Sequence, residues 1–289
     1  MVTQEQICVI EKKQDITALV NRLKSEGKVV GFVPTMGALH VGHMSLIDRS
    51  IAESDVTIVS IYVNPTQFNN PEDLKKYPRT FETDYKLCQE KGVFAIFAPD
   101  SKEMYPAPQK EQFIIVPPAG YKNKLCGEFR PGHFEGVATV VTKLLNIVPA
   151  NKAYFGLKDA QQLFIIKKMV EDLCVPIEII ACETQREPDG LACSSRNVNL
   201  DDHSRNLAPN LYKTLSFIKS WYDKGEVNFE LISSEAIQKF ILPYPKISLE
   251  YLQAFDYNNL SETTILQKNT LIAIAAQIGT TRLIDNTLL

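Results

Sequence analysis

The chain is poor in the features that mark several protein classes. Its six cysteines (Cys8, Cys88, Cys126, Cys174, Cys182 and Cys193) form no CxxC pair and have no histidine at ligand spacing. That excludes a disulfide scaffold, argues against a zinc site and points to reduced thiols. No apolar run approaches ~18 residues, so no membrane span is expected. Met1 to Gln14 contains no basic segment leading into a long apolar one, so no secretory leader is expected. A formal net charge of -3 and a pI of ≈ 5.9 give no bulk positive field for coating nucleic acid. Any anionic ligand must therefore be held by local cations. Internal repeats, low-complexity tracts and blocks of like charge are missing too. The expectation is a soluble cytoplasmic protein with neither membrane nor nucleic acid as partner.

What is present is a chain of 289 residues, 45% of them hydrophobic, enough for two domains. Apolar residues at helical spacing over 16–23 end at Gly27 and lead into a β-branched strand at 29–33. A helix starts near Gly42. Residues 56–63 read as a second strand, apolar on both faces, which suits a parallel sheet covered on two sides. Helix 80–90, strands 93–98 and 113–116, helix 133–148, strand 153–156, helix 159–173 and strand 177–180 continue the alternation. Strands alternating with helices imply an α/β, Rossmann-like doubly wound parallel sheet. The glycine- and proline-rich stretch 117–132 is long for a loop in a compact domain and reads as a lid. Near Thr184 the pattern changes to helices over 201–224 and 229–241 and strands at 248–255 and 270–278. The expected division is 1–183 for the larger domain and 184–289 for a smaller α+β domain.

Four stretches carry chemistry suited to phosphate and carboxylate. At residues 34–43 a strand-to-helix junction contains Gly37 and Gly42, and glycines there let backbone N–H groups approach a phosphate at a helix start. His40 and His43 sit beside it, three residues apart. Lys158 lies between Gly156 and a helix that starts at or after Asp159 and is placed to reach a phosphate. Ser194, Ser195 and Arg196 put two hydroxyls and a guanidinium on one loop. Arg130 lies in the lid stretch. For each there is also a plain structural reading, as a capped turn or a solvated charge. No triad-type nucleophile–base pair or carboxylate cluster is evident, although Asp84 and Asp73 are available to magnesium. A nicotinamide dehydrogenase would carry GxGxxG after the first strand, and this chain does not.

Taken together, these stretches resemble the pantoate–β-alanine ligase (pantothenate synthetase) family within the wider HxGH nucleotidyltransferase group. The likeness lies in PTMGALHxGH at 34–43, VNPxQF at 63–68, YPRT at 77–80, RPGHF at 130–134, FGxKDxQQ at 155–162, DGLAxSSRN at 189–197 and RLIDN at 282–286. It implies a Rossmann-like domain, a smaller domain closing over the active site, a homodimer, and ATP with magnesium. The implied substrates are pantoate and β-alanine, joined through a pantoyl adenylate. By resemblance ATP lies against Met36, Gly37, Ala38, Leu39, His40, Val41, Gly42, His43, Gly156, Leu157, Lys158, Asp159, Gln185, Cys193, Ser194, Ser195 and Arg196. Pantoate and β-alanine lie against Gln67, Gln162, Asn64 and Arg130, and Tyr77 and His133 are further motif positions. His43, His40, Lys158 and Arg196 are the implied catalytic groups, and Asp84 the implied metal ligand. Val41, Leu157, Gln185 and Cys193 depart from the family pattern around the nucleotide, and Cys193 is a candidate for oxidation or alkylation. A catalytically silent nucleotide-binding protein would have lost the catalytic side chains. A transferase sharing only HxGH would not explain VNPxQF and RPGHF.

Overall fold

The structure is a computed structural model that describes residues 7–108 and 111–289. Residues 1–6, on which the reading of the amino terminus partly rests, lie outside the described residues. Two compact units divide the chain. The first holds the chain up to Lys122 together with Arg130–Leu157 and Gln162–Glu183, and the second holds Asn123–Phe129, Lys158–Gln161 and Thr184–Leu289.

In chain order the elements up to Glu183 are β1 (Cys8–Ile10), α1 (Lys13–Ser25), β2 (Val30–Thr35), α2 (Val41–Glu53), β3 (Val56–Ile61), α3 (Pro71–Lys76), α4 (Phe81–Lys91) and β4 (Ala95–Phe97). They continue with α5 (Ser101–Met104), α6 (Ala119–Lys122), α7 (Cys126–Phe129), α8 (His133–Ile147), β5 (Lys152–Gly156), α9 (Ala160–Asp172) and β6 (Glu178–Cys182). The six strands form one parallel sheet in the order β1-β4-β3-β2-β5-β6. Phe32, Val33, Ile58, Val59 and Ile96 are fully buried, as expected of strands covered on both faces. Helix α2 approaches β2 closely, since a Cβ on Gly31 would stand 2.3 Å from Ser50 Oγ. The strand order reverses between β2 and β5. Open α/β sheets take ligands at such a switch point, at the carboxyl ends of those strands.

The second unit contains α10 (Asp202–Leu207), α11 (Asn210–Tyr222), α12 (Phe229–Phe240) and the strands β7 (Ile247–Asp256), β8 (Ser261–Glu262), β9 (Thr270–Ile278) and β10 (Thr281–Leu288). Its antiparallel sheet has the order β10-β9-β7-β8 and packs on a core including Leu211, Leu215, Ile218, Ile232, Ile272 and Ile274. Gly279 at φ +58° begins the two-residue turn that joins β9 to β10.

The fold class is the expected one, but several elements differ from the sequence reading: the short helices α6 and α7 lie within 117–132, read as a loop, and β10 was not foreseen. Residues 113–116 form no strand and Phe113 is 99% exposed, so β propensity found no sheet partner within the described residues. The helix read over 201–224 is two helices, broken at Pro209, which lacks the N–H that a continuous helix needs. Strand β1 was not foreseen, because three residues at a sheet edge carry too little periodicity to read.

Candidate active site

Between β2 and α2 the backbone turns through Gly37 at φ +77° and Ala38 at φ +50°. This region costs a residue with a Cβ roughly 1–2 kcal/mol, so Ala38 must be held there. Asp84, buried on α4, holds it: Oδ2 accepts from Ala38 N–H at 3.0 Å and Oδ1 from Leu39 N–H at 2.8 Å. Thr80 Oγ1 lies 3.2 and 3.3 Å from the two carboxylate oxygens. Gly37 N–H donates to Thr35 Oγ1 at 3.1 Å. Three successive amides expected to face phosphate therefore face protein acceptors. The turn is a nest for the protein's own carboxylate.

The same geometry bears on magnesium. Both Asp84 oxygens are engaged inside the fold, and among the described residues no three His, Cys, Asp or Glu side chains group to hold a metal. The residues do not fit a protein-built magnesium cage.

The imidazoles of His40 and His43 are fixed by backbone amides at the start of α2. His40 caps α2: its Nδ1 accepts from Gly42 N–H at 3.1 Å, while His43 Nδ1 accepts from His40 N–H at 3.4 Å. A nitrogen that accepts an N–H cannot carry a proton, so each neutral ring bears its hydrogen on Nε2. The rings lie 4.1 Å apart at 41°. Two Nε2–H donors thus stand at the positive end of a 13-residue helix, a setting suited to phosphoryl oxygens. Val41, between them in sequence, is exposed.

Beyond β3, buried Asn64 caps the short helical turn Pro65–Gln67. Its Oδ1 accepts from Tyr105 Oη at 2.9 Å, and its Nδ2 donates to Gln67 Oε1 at 3.0 Å and to the Gly136 carbonyl at 3.3 Å. With Oε1 occupied, Gln67 directs Nε2 to Met36 Sδ at 3.1 Å. The Gln67 carbonyl accepts from His133 Nδ1 at 2.9 Å and Arg130 Nη2 at 3.3 Å, and Arg130 Nη1 lies 3.1 Å from His133 Nε2. The first unit therefore brings together Met36, Asn64, Gln67, Arg130 and His133. Gln162 is half-buried near the start of α9, and buried Tyr77 packs edge-on against Phe68 at 5.6 Å.

In the second unit, Lys158 lies on the helical turn Leu157–Asp159 that follows Gly156. Its Nζ is 3.9 Å from Asp159 Oδ2, and its carbonyl accepts from Asn286 Nδ2 at 2.8 Å. Asp285 takes Arg186 on both oxygens, at 2.6 and 3.0 Å, with the guanidinium 3.9 Å over the Tyr212 ring. Burial pushes the Asp285 carboxyl up, and Arg186 pulls the other way. The Gln185 carbonyl accepts from Cys193 N–H at 2.9 Å, and Ser194 Oγ accepts from Arg196 N–H at 3.2 Å, starting the turn Ser195–Asn199. Burial, with Glu187, pushes the Cys193 thiol up against the pull of Arg186 and Lys158. That moves it away from the thiolate which oxidation and alkylation require. Arg186 and Tyr105 were not singled out from sequence, and Asp285 and Asn286 only as part of a motif. The partners Arg186 and Asp285 are 99 positions apart, and no local signal links them.

A parallel sheet with its switch point at β2 and β5, and a helix opened by two backbone-locked imidazoles, define an α/β protein of the His-x-Gly-His nucleotide-handling class. Within that class the family model for pantoate-beta-alanine ligase matches residues 8–288, and the chain belongs to that family. It is 46% identical over 278 residues to a pantothenate synthetase of Caldicellulosiruptor saccharolyticus, covering 96% of this chain and 98% of the relative. The crystal structure of pantothenate synthetase from Thermus thermophilus matches with a TM-score of 0.90 at 37% identity, covering 98% of this chain and 99% of that one. A Francisella tularensis pantoate-beta-alanine ligase, complexed with Beta-gamma ATP and Beta-alanine, matches with a TM-score of 0.80 at 37% identity, covering 98% and 97%.

Proposed function

We propose that this chain condenses pantoate with β-alanine at the expense of ATP, yielding pantothenate, AMP and pyrophosphate through a pantoyl adenylate. The observation that carries the reading is the family match over residues 8–288. In the first step a pantoate carboxylate oxygen attacks the α-phosphorus of ATP and pyrophosphate leaves. In the second the β-alanine amine attacks the acyl carbon, loses a proton and expels AMP. A carboxylate is already ionised at neutral pH, so the first nucleophile needs no general base. Catalysis then rests on orientation, which can supply ~7–11 kcal/mol, and on neutralising the charge that builds on phosphate.

His40 and His43 donate from Nε2 to phosphoryl oxygens, and Lys158 and Arg196 neutralise charge on the nucleotide. Residues 36–43 and 156–159, with Gln185, Cys193, Ser194 and Ser195, contact ATP. Gln67, Gln162 and Arg130 take pantoate or β-alanine, and buried Asn64 holds Gln67 in orientation. Magnesium would arrive with the triphosphate, and there it would neutralise phosphate charge.

The protein acts as a cytoplasmic homodimer, a reading supported by its unpaired cysteines and by exposed Phe113, Ile114 and Val116. Among the described residues no helix is long and apolar enough to cross a membrane. The test is product formation: AMP and pantothenate must appear from ATP, magnesium and pantoate when β-alanine is supplied, and AMP release indifferent to pantoate would overturn the reading.

A further inference from the structure

The hydrogen bonds of His133 point to a role that its motif does not assign. A carbonyl can only accept, so the 2.9 Å contact with the Gln67 carbonyl makes His133 Nδ1 the donor. In a neutral ring Nε2 is then an acceptor, and Arg130 Nη1, which can only donate, lies 3.1 Å from it. A second arm of the same guanidinium reaches the same Gln67 carbonyl at 3.3 Å. His133 is buried at the start of α8, and the triangle it closes fixes both the Gln67 backbone and the Arg130 head. The Gln67 side chain is fixed separately, by Asn64.

We propose that His133 is a positioning residue, held neutral, which sets Arg130 and Gln67 as one preformed unit for the carboxylate substrate without touching that substrate itself. This rests on the reading that Arg130 and Gln67 contact pantoate. A group held in place before binding avoids the ordering cost of a free arginine, so the effect should appear in the affinity for pantoate and leave that for ATP unaffected.

The test is steady-state kinetics on His133→Ala, His133→Asn, His133→Gln, Arg130→Ala and the double variant His133→Ala/Arg130→Ala. Losing the acceptor for a charged donor should raise the pantoate KM about ten- to hundredfold in His133→Ala, with the ATP KM little changed. Glutamine carries an oxygen near the position of Nε2 and should restore most of the loss. Asparagine keeps only the Nδ1-like donor and should not. The double variant should be little worse than Arg130→Ala, because both remove the same unit. Equal shifts in both KM values, additivity in the double variant, or glutamine no better than asparagine would each overturn the proposal. If His133→Ala does not fold, the glutamine–asparagine comparison decides alone. An unchanged pantoate KM in Arg130→Ala would remove the underlying reading and this inference with it. A raised KM there, beside an unchanged one in His133→Ala, would overturn this inference only.

Discussion

Single residues carry two kinds of work in this chain, and two substitutions separate them. His43 accepts an amide through Nδ1, so on the proposed function His43→Ala removes both a cap contact and a phosphate donor. The cap is worth about 1 kcal/mol, small against the ~5–15 kcal/mol by which folded proteins are stable. The donor, aimed at charge that develops during reaction, is worth about a hundredfold or more in rate. The Lys158 ion pair with Asp159 is long, at 3.9 Å, so Lys158→Ala should cost the fold little. Each variant should therefore keep a native circular dichroism spectrum and melting temperature while kcat falls about a hundredfold or more. Near-normal turnover in either would remove that residue from the chemistry. Asp84 belongs to the other kind: it holds the turn through Ala38 and Leu39.

Elements meet tightly, backbone to backbone, where α8 passes the turn Pro65–Gln67. A Cβ on Gly136 would lie 2.3 Å from the Thr66 carbonyl oxygen and 2.8 Å from Gln67 Cα, both of them backbone. Gly136→Ala must therefore displace the turn, at a cost of about 1–3 kcal/mol. The expected outcome is a lower Tm together with a raised pantoate KM, and an unchanged value of both would show that the approach is not tight in solution. The glycine was legible in sequence only as a residue of a helix, since its reason lies 70 positions away. Strands β2 and β3 were readable because burial on both faces leaves a continuous β-branched run. Residues 113–116 carry the same signal and form no strand, because propensity does not supply a partner. The glycine turn at 34–43 was legible as a turn, but not the protein acceptors that its amides meet. The acceptor of the Ala38 and Leu39 amides sits on α4, more than 40 residues along the chain, where local pattern does not reach.

At the scale of the whole molecule, what was legible from sequence was the order of motifs, and what was not was their division of labour. Seven motif stretches in sequence order identify the family, and they do so without geometry. Which of their residues bind, which orient and which merely hold a turn depends on pairs such as Arg186 with Asp285, or Tyr105 with Asn64. The exposed run of Phe113, Ile114 and Val116 raises a further question at this scale, that of assembly. A stable dimer usually buries about 1,200–2,000 Å² in total, and an exposed apolar run is a natural centre for such an area. Sedimentation should give about twice the 32.5 kDa chain mass, and Phe113→Lys with Val116→Lys should shift it toward one chain. A monomer at micromolar concentration in the unaltered protein would contradict the assembly.

The order of chemical events is the centre of the account, because every assignment of a charge-stabilising group assumes that the carboxylate attacks phosphorus first. Isotope exchange between labelled pyrophosphate and ATP measures that order directly. With ATP, magnesium and pantoate present and β-alanine withheld, label should enter ATP, and omitting pantoate should abolish the exchange. If no label enters ATP under these conditions in protein that forms pantothenate once β-alanine is added, the adenylate does not precede the amine and the account is contradicted.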